Sequence, residues 1–498
     1  MKYILSLDQG TTSSRAILFD EAGRIARVAQ HEFGQIYPET GWVEHEPYAI
    51  LTSQLSSAVE VMGNSSVRPQ DVVALGITNQ RETTLVWDRK TGKPVYNAIV
   101  WQDRRGARLC RKLAEAGGEE MIRQKTGLVI DPYFSGTKIA WILDNVARAR
   151  EQAEQGKLAF GTVDSWLIWN FTSGKRHVTD RTNASRTLLY NIVEDRWDAD
   201  LLKLLNIPES MMPEVVWSSE KVGRVTTTLG LGEVEIAGIA GDQQSALFGQ
   251  LCTRAGDAKN TYGTGCFLLQ NIGNQFTLSK ERLITTLTCS AARKLEYALE
   301  GSVFIGGAVV QWLRDKMSFI AAAPEIEELA NSVSGSNGVV FVPAFTGLGA
   351  PHWDPYASGM IIGIQRSTEI GHIARAAIES IAFQVADVLG AMDEDTKLPS
   401  RVLRVDGGAA ANDLLMQFQA DLTGIPVERP AVLETTALGT AYLAGLAVGL
   451  WPDVETIAKN REPGTVFEPK ADRAKMKKLQ TKWRDAVGRS KGWNREAQ

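Results

Sequence analysis

Five residues near the start of the chain, Asp8, Gly10, Thr11, Thr12 and Arg15, are of types that handle a phosphate chain. A glycine lets the backbone approach an anion closely. Threonine hydroxyls and amides donate to its oxygens. Arg15 adds a fork-shaped cation, and Asp8 can reach a Mg²⁺ on the same oxygens. An ordinary polar turn has the same composition, so this stretch alone leaves both readings open. Other candidates lie further along the chain. Arg81 and Glu82 pair a donor with an acceptor, which suits vicinal hydroxyls, or simply a salt-bridged surface turn. Trp101 offers a flat wall to a small carbon skeleton, or fills a core. Tyr133 can donate from its OH, or cap a loop. Asp242 comes after a strand of small apolar residues, where it serves as a helix N-cap or as a general base. Gly407, Gly408 and Asn412 lie between a strand and a helix. There glycines let a purine or ribose lie on the backbone and Asn412 can donate.

The elements that must position these residues are readable from periodicity. Tyr3, Leu5 and Leu7 alternate with Ile4, Ser6 and Asp8, and the alternation resumes through Arg15, Ile17 and Phe19. This predicts a β-hairpin with Gln9–Thr12 at its tip. A third strand is expected over Arg24–Glu32 and a helix over Pro47–Met62. Val72–Thr78 and Ala98–Trp101 are apolar runs followed by polar clusters, and such clusters past buried strand ends are where open α/β sheets bind ligands. A loop over 131–134 leads into a helix ending at Asn145. Gly161–Asn170 reads as a strand passing into a helix with Asp164 as candidate N-cap. Residues 257–271, DAKNTYGTGCFLLQN, repeat the strand, Gly–Thr turn, strand design of the opening. Two such turns in two domains can face one phosphate chain. Phe304–Met317 is predicted helical, with Gly306 and Gly307 at its start and Gln311 one turn on. The Ala- and Gly-rich helix Thr436–Val448 has a small face that permits close crossing of another helix. The tail from Asp472 to Ser490 is expected to be a solvated helix.

Composition narrows the class. Net charge is −4, from 54 basic and 58 acidic residues, a balance that points away from nucleic acid and membrane surfaces. The cysteines, Cys110, Cys252, Cys266 and Cys289, form no CxxC pair and read as reduced thiols of a cytoplasmic protein. No signal peptide and no membrane span are expected. The histidines are scattered, so zinc is not expected.

Two longer patterns, YFSGTKIAWILDN (133–145) and GMIIGIQRSTEIGHIARAAIE (359–379), resemble the signatures of the FGGY carbohydrate kinase family. Around them, the two hairpins, RVDGGAAAND (404–413) and ALGTAYLAGLAVG (437–449) are similar to the motifs of the actin-like ATPase superfamily. The resemblance covers essentially the whole chain. It implies two α/β domains of the actin-like (ribonuclease H-like) type, 1–247 and 248–498, flanking a nucleotide and substrate cleft. It implies ATP and Mg²⁺ as cofactors, and a homodimer or homotetramer. ITNQRETT (77–84), VWQDRR (100–105), AGDQQ (240–244) and TYGTGCF (261–267) resemble the members that phosphorylate glycerol to glycerol 3-phosphate in glycerol catabolism. On that resemblance Arg81, Glu82, Tyr133, Asp242 and Gln243 hold the hydroxyls, and Trp101 and Phe267 line the apolar side. Asp242 is the catalytic base and Asp8 the metal ligand. Thr11, Thr12, Ser13 and Arg15 take the phosphates, and Thr264, Gly307, Gln311, Gly408 and Asn412 take the nucleotide. A pentulose or erythritol kinase of the same family, and a protein-binding ATPase switch, stand as the rival readings.

One departure carries a prediction. Some glycerol-phosphorylating relatives hold fructose bisphosphate, an inhibitor, on a Gly–Thr–Arg loop before the Asp242 strand. Here that stretch is TTTLGLG, Thr226–Gly232, without an arginine. Inhibition by fructose bisphosphate is expected to be weak or absent, and a purified-enzyme assay showing strong inhibition would refute this.

Overall fold

A computed structural model describes residues 1–63, 66–226 and 232–495. The stretch Thr226–Gly232, where the inhibitor-binding arginine is missing, lies outside them except for its first and last residues.

The alternating segments form β1 (Tyr3–Gln9), β2 (Ser13–Asp20) and β3 (Ile25–Glu32). With β4 (Val72–Asn79), β5 (Ser219–Arg224) and β6 (Glu235–Gly241) they build a six-stranded sheet, ordered β5-β6-β4-β1-β2-β3. β1, β2 and β3 are antiparallel neighbours, whereas β4 runs parallel to β1 and β6 parallel to β4. The second half repeats this plan. β7 (Ala258–Tyr262), β8 (Cys266–Gly273), β9 (Ile284–Leu287), β10 (Tyr297–Val303), β11 (Leu403–Asp406), β12 (Val427–Arg429) and β13 (Thr465–Phe467) form a seven-stranded sheet, ordered β9-β10-β8-β7-β11-β12-β13. Here β7, β8 and β10 are the antiparallel set, and β11 and β12 are the parallel pair beside β7. The echo seen between the two Gly–Thr turns is therefore a repeat of a whole sheet.

The helices that bear on the site are α1 (Pro47–Gly63), α2 (Ser135–Asn145), α3 (Val163–Phe171), α4 (Asp242–Gly249), α5 (Ala308–Asp315), α6 (Ile370–Thr396), α7 (Asp413–Thr423), α8 (Thr435–Val448) and α9 (Arg473–Ser490). Period-2 alternation divides the first sheet's side chains between two cores. Leu5, Leu7, Ala16 and Leu18 pack with Ile50 of α1 and Trp166 of α3. Ile4, Ile17, Phe19 and Ala74 pack instead with Ala437, Leu438 and Ala441 of α8. Thus a helix from the second half of the chain covers the first sheet. Its approach depends on glycine. A Cβ on Gly76 of β4 would lie 2.6 Å from the Thr440 carbonyl oxygen, and one on Gly238 of β6 would lie 2.5 Å from it. Ser6 and Thr440 complete the seam with a hydroxyl–hydroxyl bond of 2.8 Å.

Four local expectations are corrected. The helix expected over Phe304–Met317 is shorter, Ala308–Asp315. Gly307 is its N-cap, as the glycines' place at the helix start implied, and Gly306 and Gly307 donate their N–H groups to the carbonyls of Thr264 and Gly263, both at 2.8 Å. The N-cap of α3 is Thr162, not Asp164. Asp164 accepts from the hydroxyls of Thr162 and Thr179, and burial pushes its carboxyl up to about 6. Within Ala98–Trp101 only Ala98–Ile99 is strand. The terminal helix is not wholly solvated: Met476, Trp483, Ala486 and Val487 share one face at helical spacing and are buried. Trp483 stacks on Phe383 of α6 at 5.2 Å and 8°.

Candidate active site

Three parallel strands end level with one another. Gln9 of β1 pairs with Asn79 of β4, which pairs with Gly241 of β6. The segments just past these strand ends form the site: the Gly10–Ser13 turn, the Arg81–Glu82 pair and the start of α4. Gly241 occupies the N-cap position of α4, so Asp242 is its first helical residue and not its cap. This frees the Asp242 carboxylate for the cleft, where its side chain is 31% exposed. One oxygen, Oδ1, sits 3.1 Å from Arg81 Nε and accepts the Gln243 N–H at 2.7 Å.

Arg81 and Glu82 are buried, which excludes the surface-turn reading. Arg81 Nη1 and Nη2 donate to the two oxygens of Glu300, at 2.6 and 2.9 Å, and Nη1 also reaches Gln244 Oε1 at 3.1 Å. A second buried arginine, Arg186, donates from Nε to Glu82 Oε1 at 2.6 Å and from Nη2 to Glu300 Oε1 at 3.2 Å. Burial pushes the Glu300 carboxyl upward, but Arg186 and Arg81 outweigh it and hold it down at about 2. For Glu82 burial wins, and its carboxyl is raised despite the same arginines. Its backbone is left-handed, at φ 61°. That conformation is uncommon for a non-glycine residue and recurs at functional sites. The hydroxyls of Thr84 and Ser135 hold its carbonyl, each at 3.0 Å.

Trp101 and Tyr133 meet edge to face at 5.6 Å. Trp101 Nε1 donates to Thr11 Oγ1 at 3.0 Å, which ties the aromatic wall to the first turn. Burial raises the Tyr133 phenol and keeps it a donor. Phe267 lies on β8 opposite Thr261 of β7 and Ser302 of β10. Lys259 and Glu300 share that face by register, because directly opposed residues point the same way.

Asp8 pairs across the hairpin with Arg15. Burial pushes its carboxyl up to about 7, with Arg15 opposing and Glu434 and Asp242 adding to the rise. Arg15 itself donates from Nε to Gln30 and from Nη1 to Glu434, both at 2.9 Å. The turn is closed by Gly10 N–H on the Ser13 carbonyl at 2.9 Å. Thr12 at its tip is exposed, and Ser13 is half-buried as the first residue of β2.

All five expected nucleotide residues, Thr264, Gly307, Gln311, Gly408 and Asn412, line one cavity of about 440 Å³ in the second half. Val310, Ile326, Ile378 and Leu415 give it an apolar wall. Gly407 has φ 85°, and a Cβ there would lie 2.6 Å from the Tyr262 carbonyl oxygen, so glycine is required for the turn. A Cβ on Gly408 would meet no protein atom within 4 Å, which leaves that side of the backbone open for a ligand. Asn412 caps α7 with Oδ1 on the Leu415 N–H at 2.7 Å, so Nδ2 is the atom able to donate into the cavity.

Several residues of this constellation carry no local motif: Arg186, Lys259, Glu300 and Glu434. Lys259 and Glu300 left one trace, a single charge inside a strand of otherwise uncharged residues, AKNTY and YALEGSV.

The sequence profile of the FGGY family of carbohydrate kinases matches residues 3–249 with its N-terminal domain and residues 258–448 with its C-terminal domain. The chain belongs to this family. Among similar proteins, the FGGY kinase resembles a glycerol kinase of Koribacter versatilis at 61% identity over 99% of both chains. It is 57% identical to glycerol kinase 2 of Thermotoga maritima over 99% of this chain and all of that one (100%). Among solved structures, the Plasmodium falciparum glycerol kinase with ADP superposes with a TM-score of 0.93 at 38% identity, covering 98% of each chain. A xylulose kinase of Lactobacillus acidophilus shares the fold at a TM-score of 0.88 and 23% identity, over 99% of each.

Proposed function

We propose that this FGGY kinase transfers the γ-phosphoryl group of ATP to a terminal hydroxyl of glycerol, giving glycerol 3-phosphate and ADP. The observation that supports the reading is that Arg81, Glu82, Asp242 and Gln243 follow the level ends of two neighbouring strands beside the Gly10–Ser13 turn, with the Tyr133 phenol near enough for the charges of Glu82 and Arg81 to act on it. Full-length similarity to proteins named glycerol kinase supports it. The Trp101–Tyr133 wall favours a small polyol over a pentulose.

Asp242 accepts the hydroxyl proton as the oxygen attacks phosphorus, and the bond from phosphorus to the ADP oxygen breaks. Arg15 offers a phosphate oxygen the guanidinium edge not spent on Gln30 and Glu434. The backbone and hydroxyls of Thr11, Thr12 and Ser13 add donors. Thr264, Gly307, Gln311, Gly408 and Asn412 hold the nucleotide, with its base against the apolar wall. Trp101 and Phe267 exclude water from the carbon side. Positioning and electrostatics carry most of the catalysis in such reactions.

The environment of Asp8 fits Mg²⁺. Its carboxyl is raised to about 7 by burial, so a cation would relieve the cost of its charge. Among the described residues no group of three or more His, Cys, Asp or Glu side chains could hold a metal, so water and phosphate oxygens would share the ion with Asp8. Mg²⁺ there would neutralise charge on the transferring phosphate. We further propose that the halves divide the labour, 1–247 holding polyol and phosphate and 248–498 the nucleotide, in a cytoplasmic homodimer or homotetramer. No helix among the described residues is long and apolar enough to cross a membrane.

The test is a coupled assay with ATP over glycerol, erythritol, xylulose and water. Glycerol is expected to give the highest kcat/KM, by roughly tenfold or more over erythritol, since buried groups left unpaired by a misfitting polyol cost about 1–3 kcal/mol each. A higher value for xylulose or erythritol would refute the reading.

A further inference from the structure

Lys259 is wholly buried on β7. A buried ammonium ordinarily meets a carboxylate, because its desolvation is costly. Among the described residues this one forms no direct ion pair, although burial, which lowers its pKa, is opposed by the charges of Asp406, Asp242 and Glu300 from further off. It donates to two neutral oxygens, Gln243 Oε1 at 2.6 Å and Thr261 Oγ1 at 2.8 Å. An ammonium has donors only. It therefore settles which end of the Gln243 amide faces it: Oε1 is pinned to Lys259, and Nε2 is the end left for the cleft.

The consequence concerns the reacting hydroxyl, and it rests on the polyol reading above. A hydroxyl beside Gln243 must accept from Nε2, so its own proton must go elsewhere. The adjacent residue, Asp242, has Oδ1 engaged by Arg81 Nε and by the Gln243 N–H. Its Oδ2 remains. We propose that Lys259 is a positioning residue that makes Gln243 a pure donor towards the polyol and so directs the reacting hydroxyl's proton to Asp242 Oδ2. In the step the O–H bond breaks and its proton moves to Oδ2. The oxygen's electron pair forms the bond to phosphorus, and the bond from phosphorus to the ADP oxygen breaks. Lys259 changes no bond in the step.

The same ammonium joins two regions. Thr261 precedes Tyr262, the last residue of β7, and the Gly263–Gly265 turn beside the nucleotide cavity comes next. Gln243 belongs to α4, from the other half. Lys259 thus places the polyol donor with respect to the strand that carries the nucleotide turn.

The test is a double-mutant cycle on the full-length enzyme with glycerol and ATP. Lys259→Met and Gln243→Ala are each expected to lower kcat/KM for glycerol by roughly tenfold to a hundredfold, while KM for ATP stays within about twofold. If Lys259 acts through Gln243, the double variant costs no more than Gln243→Ala alone. Additive losses, or a KM for ATP that rises in step with that for glycerol, would overturn the proposal. Should Lys259→Met fail to fold, Gln243→Glu decides. It gives the ammonium a carboxylate partner, so its unfolding midpoint is expected at or above that of the wild type. It also puts an acceptor where a donor belongs, so kcat/KM for glycerol is expected to fall by roughly tenfold or more. A wild-type kcat/KM in that variant would overturn the proposal. Wild-type enzyme that leaves glycerol unphosphorylated would instead sink the polyol reading, before any variant is compared.

Discussion

Asp242→Asn is expected to lower turnover with glycerol by about 10²-fold or more, the lower range of general-base contributions, and to leave ATP binding nearly unchanged. The substitution suits the question because of what it keeps. An asparagine Oδ1 can still accept from the Gln243 N–H and sit beside Arg81 Nε, the two contacts that Asp242 Oδ1 makes, although the charge that draws it to Arg81 is lost. Arg81 retains its bidentate carboxylate, Glu300. Neither the start of α4 nor the buried ion cluster loses its framework, so the fold should survive. What disappears is the second oxygen as a proton acceptor. The cavity proposed for the nucleotide is lined by residues of the second half, which the substitution does not touch. Steady-state kcat and calorimetric titration with ATP separate the two effects. Near-normal turnover would contradict the base assignment, and a collapse of ATP binding would show that Asp242 supports the cleft as a whole.

How far such residues could be found without a structure depends on how local their signal is. The opening hairpin and its echo were legible because a strand's period of 2, a glycine and paired threonines all lie within a few residues. The level strand ends were legible too, since Val72–Thr78 is an apolar run that stops at a polar cluster. Glu300 was not. Its meaning comes from Arg81 and Arg186, which lie 219 and 114 residues away, and no window of sequence holds all three. Lys259 was missed for the same reason, although a charge inside a central strand always demands a partner. The capping positions, missed at Asp164 and left open at Asp242, are different. Asp is common both at N-caps and in the first turn of a helix, and only backbone geometry separates Thr162 from Asp164 or Gly241 from Asp242. Gly306 and Gly307 do stand at the start of the helix, with Gly307 its N-cap, but the hold that the Gly263–Gly265 turn has on their N–H groups is not visible in sequence. Glu300, Lys259 and this hold on Gly306 and Gly307 depend on tertiary partners that no local pattern encodes.

Glu300→Ala is expected to destabilise the protein by about 3–5 kcal/mol, the cost of removing one partner from a buried ion pair. The size of the effect reflects what is left behind. Arg81 and Arg186 are both buried, and each donates to Glu300. Without it, Glu82 and Asp242 alone must face two guanidiniums. Glu300→Gln removes the charge but keeps the volume and one acceptor, so it should be less severe. The pH dependence gives an independent check on the same residue. Burial opposes ionisation of Glu300, but Arg186 and Arg81 hold its folded-state carboxyl at about 2, below the ordinary 4.5. A carboxyl depressed by folding stabilises the native state fully above its unfolded value. That contribution is lost as the pH falls through the interval between the two values. Urea unfolding of wild type and Glu300→Gln across that interval should therefore converge towards its acid end and differ most above it. A constant gap would mean that the carboxylate is not the source of the stability. Because Arg81 also touches Asp242, loosening it should raise KM for glycerol more than KM for ATP, even where the variant remains folded. Equal rises in both would place Glu300 in general support of the cleft, and not specifically behind the residues proposed to hold the polyol.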